Sequence, residues 1–476
     1  MGDPAAGRKS CADAAGGASV VPNEPRSRGC YNAVVATFYV ENFGCRATQA
    51  DGAAIAQQLV QRGLRRAENP QDAQVVVLNT CTVTSAADHD ARAAIRRIHR
   101  QNPECKILVT GCYAQRAPEE IVSLPGVAWV VGNSHKHQVA EIAAQQPAEF
   151  VPVETLAAPE AVQVVGDIFA HTELMAAPVF EVNSASEKTR PNLKVQDGCD
   201  NRCSFCIIPF VRGQSRSLQL DEVLREMNGL VAAGFREVVI SGINLGRWGR
   251  DLDRPQRFEQ LVRALVEKTG IERLRISSVE PMDWSDELIE LVAGSPRIAK
   301  HAHVPLQSGS DRILRLMHRK YRPWHYAAKI RKIRRAMPTA AIGADVMVGF
   351  PGETDADFEE NRRFIASLPF TYLHVFTYSA RPGTPSAKMP ERVLNTVKRE
   401  RNRILRELAA EKKRVFMEGF VGKTLSTITL NLYDGDYTET LSDNYLKLML
   451  RGRHGANQMV EARVESLRND HLIGAV

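Results

Sequence analysis

The sequence predicts an α/β protein in three parts: an open parallel α/β domain over 34–147, a partial (β/α)6 barrel over 189–410, and a small β-barrel over 411–476. Three observations lead there. The chain has 476 residues, which at ~100–200 residues per domain makes about three units. Short β-branched runs alternate with helical patterns through two long stretches, as parallel sheets with crossover helices require. The C-terminal stretch then switches to short strand-like runs split by turn residues, the texture of a small barrel.

The elements follow in order. Residues 1–33 are rich in Ala, Gly and Ser, carry Asp3, Arg8, Lys9, Asp13 and Glu24, and lack an apolar segment. They read as a flexible tail rather than a signal peptide, and a cytoplasmic location is expected. Strands are predicted at Val34–Glu41, Gln74–Asn79, Lys106–Thr110 and Val127–Val131, with helices near Ala50–Arg62 and Ala87–Arg100. Residues 148–188 have weak periodicity and scattered Pro and Ala, and read as a linker. Six further strands are predicted at Leu193–Gln196, Glu237–Ser241, Arg273–Ser278, Ala302–Leu306, Ile342–Val348 and Thr371–Phe376, separated by helices near 220–234, 258–268, 285–293, 324–337 and 355–367. Six units are too few for a closed eightfold barrel, so an open one is expected. A charged helix near 391–415 precedes strand-like runs at Ser426–Leu432 and Tyr445–Leu450.

Hydrophobic content of 44% and charged content of 25% are those of a globular chain and exclude global disorder. No apolar run approaches the ~18 residues of a membrane span. Lys and Arg total 62 against 55 acids, a formal charge of +7 that gives a mild bias toward anionic partners. The basic charge is concentrated: ten Lys or Arg lie between Arg312 and Ala344 with no acid. That run suits a polyanion, with Arg319, Lys320, Arg322, Arg331 and Arg334 as RNA-binding candidates. The competing reading is a solvated helix face whose apolar side is Ala327, Ile330, Ile333 and Met337. Residues 415–476 hold six bases and eight acids, so RNA affinity there must come from a local face.

Nine cysteines in a chain with no secretory context favour metal binding over disulfides. Cys199, Cys203 and Cys206 have the spacing C-x3-C-x2-C after the first strand of the six-unit barrel. Three thiolates on one loop can hold three irons of a [4Fe–4S] cube and leave the fourth iron open. Zinc is the competing ligand, but it usually takes paired C-x2-C motifs, and no second pair exists. Cys45, Cys81 and Cys112 are far apart, yet each ends a predicted strand, and the carboxyl ends of parallel strands converge on one sheet edge. They could form a second site-open cluster. Cys11, Cys30 and Cys105 fit neither set.

The C-x3-C-x2-C loop resembles that of the radical S-adenosylmethionine (SAM) superfamily. With Cys45, Cys81 and Cys112 added, the chain from about 34 to 476 resembles the methylthiotransferases, which carry two [4Fe–4S] clusters. Matching blocks are Ser241–Gly246, Arg275–Ser278, Pro305–Ser310, Met317–Tyr321 and Asp345–Thr354. The resemblance implies a methylthiotransferase N-terminal domain, a radical SAM core and a C-terminal TRAM domain. Asn79–Thr84 and Val109–Gln115 look most like the branch acting on N6-threonylcarbamoyladenosine next to the tRNA anticodon. The alternatives are the isopentenyladenosine branch, the branch acting on ribosomal protein S12, and, from another class, an iron–sulfur electron carrier or a non-catalytic iron–sulfur RNA-binding protein. Thr48 stands where the family usually has Asn, and Trp248 where it has Tyr.

By resemblance, the cluster on Cys45, Cys81 and Cys112 presents an exogenous sulfur, one SAM methylates it, and a second SAM supplies the radical. SAM contacts are expected from Phe205, Gly242, Ser278, Gln307, Ser308, Val348 and Gly349. No residue is expected to act as an acid–base catalyst. Implied partners are tRNA, a flavodoxin- or ferredoxin-type electron donor and a sulfur donor, with the protein a monomer.

Overall fold

The computed structural model describes residues 36–144, 161–170, 189–468 and 470–476. The N-terminal strands are Thr37–Asn42, Val75–Thr80, Lys106–Gly111 and Val127–Gly132, each within three residues of its predicted limits. Val75–Thr80 is buried along its whole length, because helices cover both faces of a central parallel strand. The sheet runs, edge to edge, Arg65–Arg66, Thr37–Asn42, Val75–Thr80, Lys106–Gly111, Val127–Gly132 and Val162–Val164, and every pairing is parallel. Val162–Val164 lies inside the stretch expected to be a linker. That expectation is corrected: the edge of Val127–Gly132 offers unpaired backbone groups, and 162–164 takes them.

From Thr37–Asn42 the chain goes first to the edge strand Arg65–Arg66 and then returns past itself to Val75–Thr80. The direction of winding therefore reverses between Thr37–Asn42 and Val75–Thr80. In open parallel sheets such a reversal opens a crevice at the carboxyl ends, where ligands bind. Cys45 and Cys81 follow those two strands directly, and Cys112 follows the next.

In the core, strands Asn192–Lys194, Glu237–Ser241 and Arg273–Ile276 are parallel neighbours in sequence order, as are His301–His303, Ala341–Val348 and Tyr372–Thr377. A parallel bridge between Ser278 and His303 joins the two halves into one six-stranded open arc. Helices Leu220–Ala232, Phe258–Lys268, Asp286–Gly294, Pro323–Ala336 and Asp355–Ser367 cover it outside and bury one continuous apolar core. The C-terminal strands, in the order Thr424–Asp434, Tyr437–Ser442, Lys447–Arg451, His471–Ala475 and Met459–Arg468, close into a barrel. Helix Asn395–Glu418 runs without a break through residue 410, where a domain boundary was expected, and packs on strand Tyr372–Thr377. No helix among the described residues is long and apolar enough to cross a membrane.

One buried ionic network fixes the N-terminal domain on the core. Asp51, on helix Arg46–Gln61, pairs with Lys194, with Lys136 (2.8 Å) and with Arg212 (3.0 Å). Arg212 and Lys194 also hold Asp197, at 2.9 and 3.0 Å. Burial by itself would raise the Asp51 carboxyl, but Lys136, Lys194 and Arg212 outweigh it and hold the group well below the usual carboxylate range. Removing one partner of such a network leaves buried charges unmatched. Asp51→Ala is therefore expected to cost about 3–5 kcal/mol in denaturant unfolding. Because the folded pKa is depressed, the stabilisation from Asp51 is present above its unfolded value of about 4 and is lost as pH falls toward the native one. The acid limb of the wild-type stability profile should accordingly flatten in the variant.

Candidate functional site

The Cys199–Cys206 loop follows the first core strand and is tied down through its own backbone. Cys199 N donates to Gly213 O, Ser204 N to Met317 O, Cys206 N to Cys203 O, and Ser386 N to Ser204 O, all at 2.9–3.1 Å. The three thiols are only partly covered. Burial, and then Cys203 beside it, push the Cys206 thiol up to about 12. Cys199 Sγ accepts from Asn201 N (3.4 Å) and Asn244 Nδ2 (3.6 Å), and Cys203 Sγ from Arg319 Nη1 (3.2 Å). Donors aimed at sulfur stabilise its anionic, metal-binding form.

The second set comes together at the sheet edge. A Cβ at Gly44 would lie 2.5 Å from Cys81 Cβ, and one at Gly111 2.3 Å from Thr80 O. The loops before Cys45 and Cys112 thus approach the Cys81 strand as closely as only glycine allows. Burial first, and then Cys112, push the Cys81 thiol up to about 12. Thr48 Oγ1 lies 3.6 Å from Cys45 Sγ, and Thr48 O accepts from Asn79 Nδ2 at 2.7 Å, so this position keeps a polar contact with the sulfur despite the lost Asn. Asn133 Nδ2 lies 3.5 Å from Cys112 Sγ and 2.7 Å from Val211 O, which links this edge to the core.

The surroundings fit an anionic cluster on Cys45, Cys81 and Cys112. The network beside it holds three cations, Lys136, Lys194 and Arg212, against two acids, Asp51 and Asp197, which is one buried positive charge in excess. The charges of Cys112 and Cys45, after Asp197, act to raise Arg212 against the effect of burial. Thiolates holding a cluster there would bring negative charge against that excess.

Cys45 and all three cysteines of the core loop line one cavity of about 550 Å³. Its lining includes four of the expected SAM contacts: Phe205, Gly242, Ser278 and Gln307. Ser241 Oγ and Asn244 Oδ1 also lie on it, buried and with no hydrogen-bond partner among the described residues. Buried polar atoms seldom stay unpaired, so these two fit a ligand with its own donors, such as the amino group of SAM.

The other three expected SAM contacts do not line this cavity. Ser308 is buried and accepts from Ser310 N at 3.2 Å, so it shapes its own loop. Val348 is wholly buried in the apolar core. Gly349 donates to Glu353 Oε1 (3.0 Å) and packs on Lys398, while Thr354 and Asp357 cap helix Asp355–Ser367 reciprocally. That stretch braces the fold from behind the cavity.

Much of the basic tract is matched by acids, some from distant elements and one, Asp311, at its own start. Arg319 is buried between Cys203, Glu280 and Tyr321, which take its guanidinium donors. Arg322 lies 3.4 Å from Asp311. Arg334 caps the chain after its helix, donating to Pro338 O (2.7 Å), Ala340 O (2.8 Å) and Pro369 O (3.1 Å). Lys320 and Arg331 are exposed and carry no ion pair among the described residues. The apolar side of the helix is buried as expected, from Ala327 through Ile330 and Ile333 to Met337. Cys105 is a buried member of an apolar cluster, and Cys11 and Cys30 lie outside the described residues.

Several cavity residues were not expected. His303 and His374 each place a ring nitrogen on Asp345 Oδ1, at 3.2 and 3.3 Å. Tyr372 Oη bridges His301 (2.7 Å) and His303 (3.0 Å). Tyr445, from the C-terminal barrel, stacks on His301 with centroids 4.5 Å apart, and Arg275 holds its turn through Ser442 O and Asp443 O. The alternation of the strands Tyr372–Thr377 and His301–His303 could have shown which residues face inward. Nothing local marks Tyr445.

The fold and the cysteine-lined cavity define a radical SAM protein. Residues 193–365 match the Radical SAM superfamily, and residues 37–132 match Uncharacterized protein family UPF0004. The structure is similar to the radical S-adenosylmethionine methyltransferase TsrM from Kitasatospora setae, with a TM-score of 0.55 over 84% of this chain and 79% of that one. At 16% identity this likeness concerns the fold alone. In sequence, the chain is 37% identical to the threonylcarbamoyladenosine tRNA methylthiotransferase MtaB of Bacillus subtilis, covering 88% of this chain and 91% of that protein. It is 33% identical to the tRNA-2-methylthio-N(6)-dimethylallyladenosine synthase of Novosphingobium aromaticivorans, covering 82% and 86%. The chain belongs to the methylthiotransferase family of radical SAM enzymes, and it transfers sulfur-containing groups. The carrier and scaffold readings are thereby set aside.

Two of the three arginines of helix Pro323–Ala336 should separate in stability. Arg334→Ala leaves three carbonyls without their donor and is expected to lose roughly 1–3 kcal/mol in urea unfolding. Arg331→Ala, exposed, should stay within about 0.5 kcal/mol of wild type.

Proposed function

We propose that the enzyme adds a methylthio group to C2 of N6-threonylcarbamoyladenosine in tRNA. The observation that carries this reading is that Cys45 and the Cys199, Cys203 and Cys206 set open onto one cavity. A sulfur held at the first set and a SAM held at the second can then meet the same substrate atom. The aromatic C2–H bond is neither acidic nor electrophilic, so acid–base residues alone cannot activate it. Two [4Fe–4S] clusters and SAM would supply the one-electron chemistry that such a carbon needs.

The chain's own residues bind and orient. Cys45, Cys81 and Cys112 would hold one cluster, and Cys199, Cys203 and Cys206 the other. Asn244 and Arg319 keep donors on the core sulfurs. Ser241 and Asn244 offer the open polar atoms that SAM would satisfy. Phe205 packs beside the third core cysteine against Met317, Phe350 and Tyr378 and gives the cavity an apolar wall. The far wall, with His301, His303, Asp345, Tyr372 and His374, is polar. It suits a substituent rich in hydrogen-bonding groups better than an apolar isopentenyl chain.

Two measurements test the reading. Anaerobically reconstituted protein should bind about eight irons, and the Cys199/Cys203/Cys206→Ala variant about four. Iron near zero in that variant would remove the two-cluster arrangement. Deleting the gene and analysing tRNA nucleosides by mass spectrometry should show loss of the methylthio form of threonylcarbamoyladenosine, with its precursor accumulating. Loss of the methylthio isopentenyl nucleoside instead would assign the substrate to the other branch.

A further inference from the structure

The charges lining the cavity are nearly all matched. Two carboxylates face it: Glu280 is paired with Arg319, and Asp345 is held by His303 and His374. Arg319 in turn lies against Cys203. One cation is left. Arg46 lines the same cavity, is partly buried, and makes no ion pair or hydrogen bond among the described residues. The other guanidiniums nearby, Arg212, Arg275 and Arg381, are each paired with a buried acid.

Arg46 is also well placed. It directly follows Cys45 and opens helix Arg46–Gln61, whose first turn contains no acid, so the positive end of that helix adds to its field. Its charge reaches His301, which lines the same cavity. Burial first, then Arg275, His303 and Arg46, hold that imidazole well below its ordinary range. A half-covered guanidinium with no partner among the described residues, lining the cavity that both sulfur sites reach, is a receptor for an anion.

We propose that Arg46 receives the carboxylate of the N6 substituent and so sets the preference for an anionic over an apolar substituent. This rests on the threonylcarbamoyladenosine reading above. In adenine, C2 and the carbon bearing N6 are both bonded to N1, so reacting carbon and substituent enter the cavity side by side. With C2 presented to the sulfur site at Cys45, the substituent lies within reach of the next residue. An isopentenyl group would leave the guanidinium unmatched; a carboxylate satisfies it with a charge-assisted, bidentate contact.

The test compares two anticodon stem-loops, one bearing threonylcarbamoyladenosine and the other its methyl ester, with the isopentenyl stem-loop as a third. Kd is measured anaerobically on the full reconstituted chain, with iron content as a check on folding. Wild type should bind the acid more tightly than the ester. Arg46→Gln should shrink that ratio by about tenfold, the loss of one charge-assisted hydrogen bond, and Arg46→Lys should restore part of it. Because the readout is a ratio, general damage to the protein cancels. An acid-to-ester ratio that Arg46→Gln leaves unchanged overturns the assignment, as does a wild type that modifies both stem-loops without distinguishing them; in either case the substrate reading stands. A wild type that modifies only the isopentenyl stem-loop removes the substrate reading itself.

Discussion

The site depends on the buried ionic network centred on Asp51. Asp51 lies six positions after Cys45 on the same helix, while Asp197 and Arg212 bracket the Cys199–Cys206 loop. One cluster of charges therefore fixes the distance and orientation between two sulfur sites that belong to different domains. Charges buried in pairs tolerate little displacement, because separating them in a low-dielectric interior is costly. Apolar packing of Cys112 on Ile207 and Val211 and the Asn133 contact to Val211 O also join the two domains, and the charges add a fixed register. Arg381, which reaches from the core to Asp88 beside Cys81, repeats the arrangement on a smaller scale.

The cavity that results has walls from all three parts of the chain. The N-terminal domain contributes Cys45 and Arg46, the core contributes its cysteine loop and inward strand residues, and the C-terminal barrel contributes Tyr445. That last contribution gives the small barrel a role within the pocket. Tyr445 sits at a positive φ of 66°, a conformation costly for a bulky residue. Arg275 and the stack on His301 hold it there. Residues 415–476 carry more acid than base, so this part acts on the site through shape rather than through net charge.

The basic tract shows how charge counted along a chain differs from charge in space. Between Arg312 and Ala344 the sequence has no acid, yet Asp286, Glu280 and Asp357 reach into that region from other elements, and Asp311 from the residue just before it. Most of the tract therefore braces helices and the cluster loop, and only its exposed members keep a free charge. Arg46 is the reverse case: an unremarkable residue in sequence that the fold leaves as the unmatched cation of the cavity.

The sequence by itself marked most strands and helices of the two parallel α/β regions and the spacing of the cysteines. These rest on periodicity, on strand ends and on short-range spacing, all of which are local. Glu237–Ser241 and helix Phe258–Lys268 match their expected limits for that reason. Only the tertiary structure decided which polar residues face the cavity. Val348 ends the strand that carries Asp345 and Gly349 follows it, yet neither lines the cavity that Asp345 lines. Tyr445 meets His301, and Asp51 meets Lys194 and Arg212, across more than a hundred positions of chain. A side chain's partners are set by which elements pack against it, and that is a property of the whole fold rather than of any window of sequence.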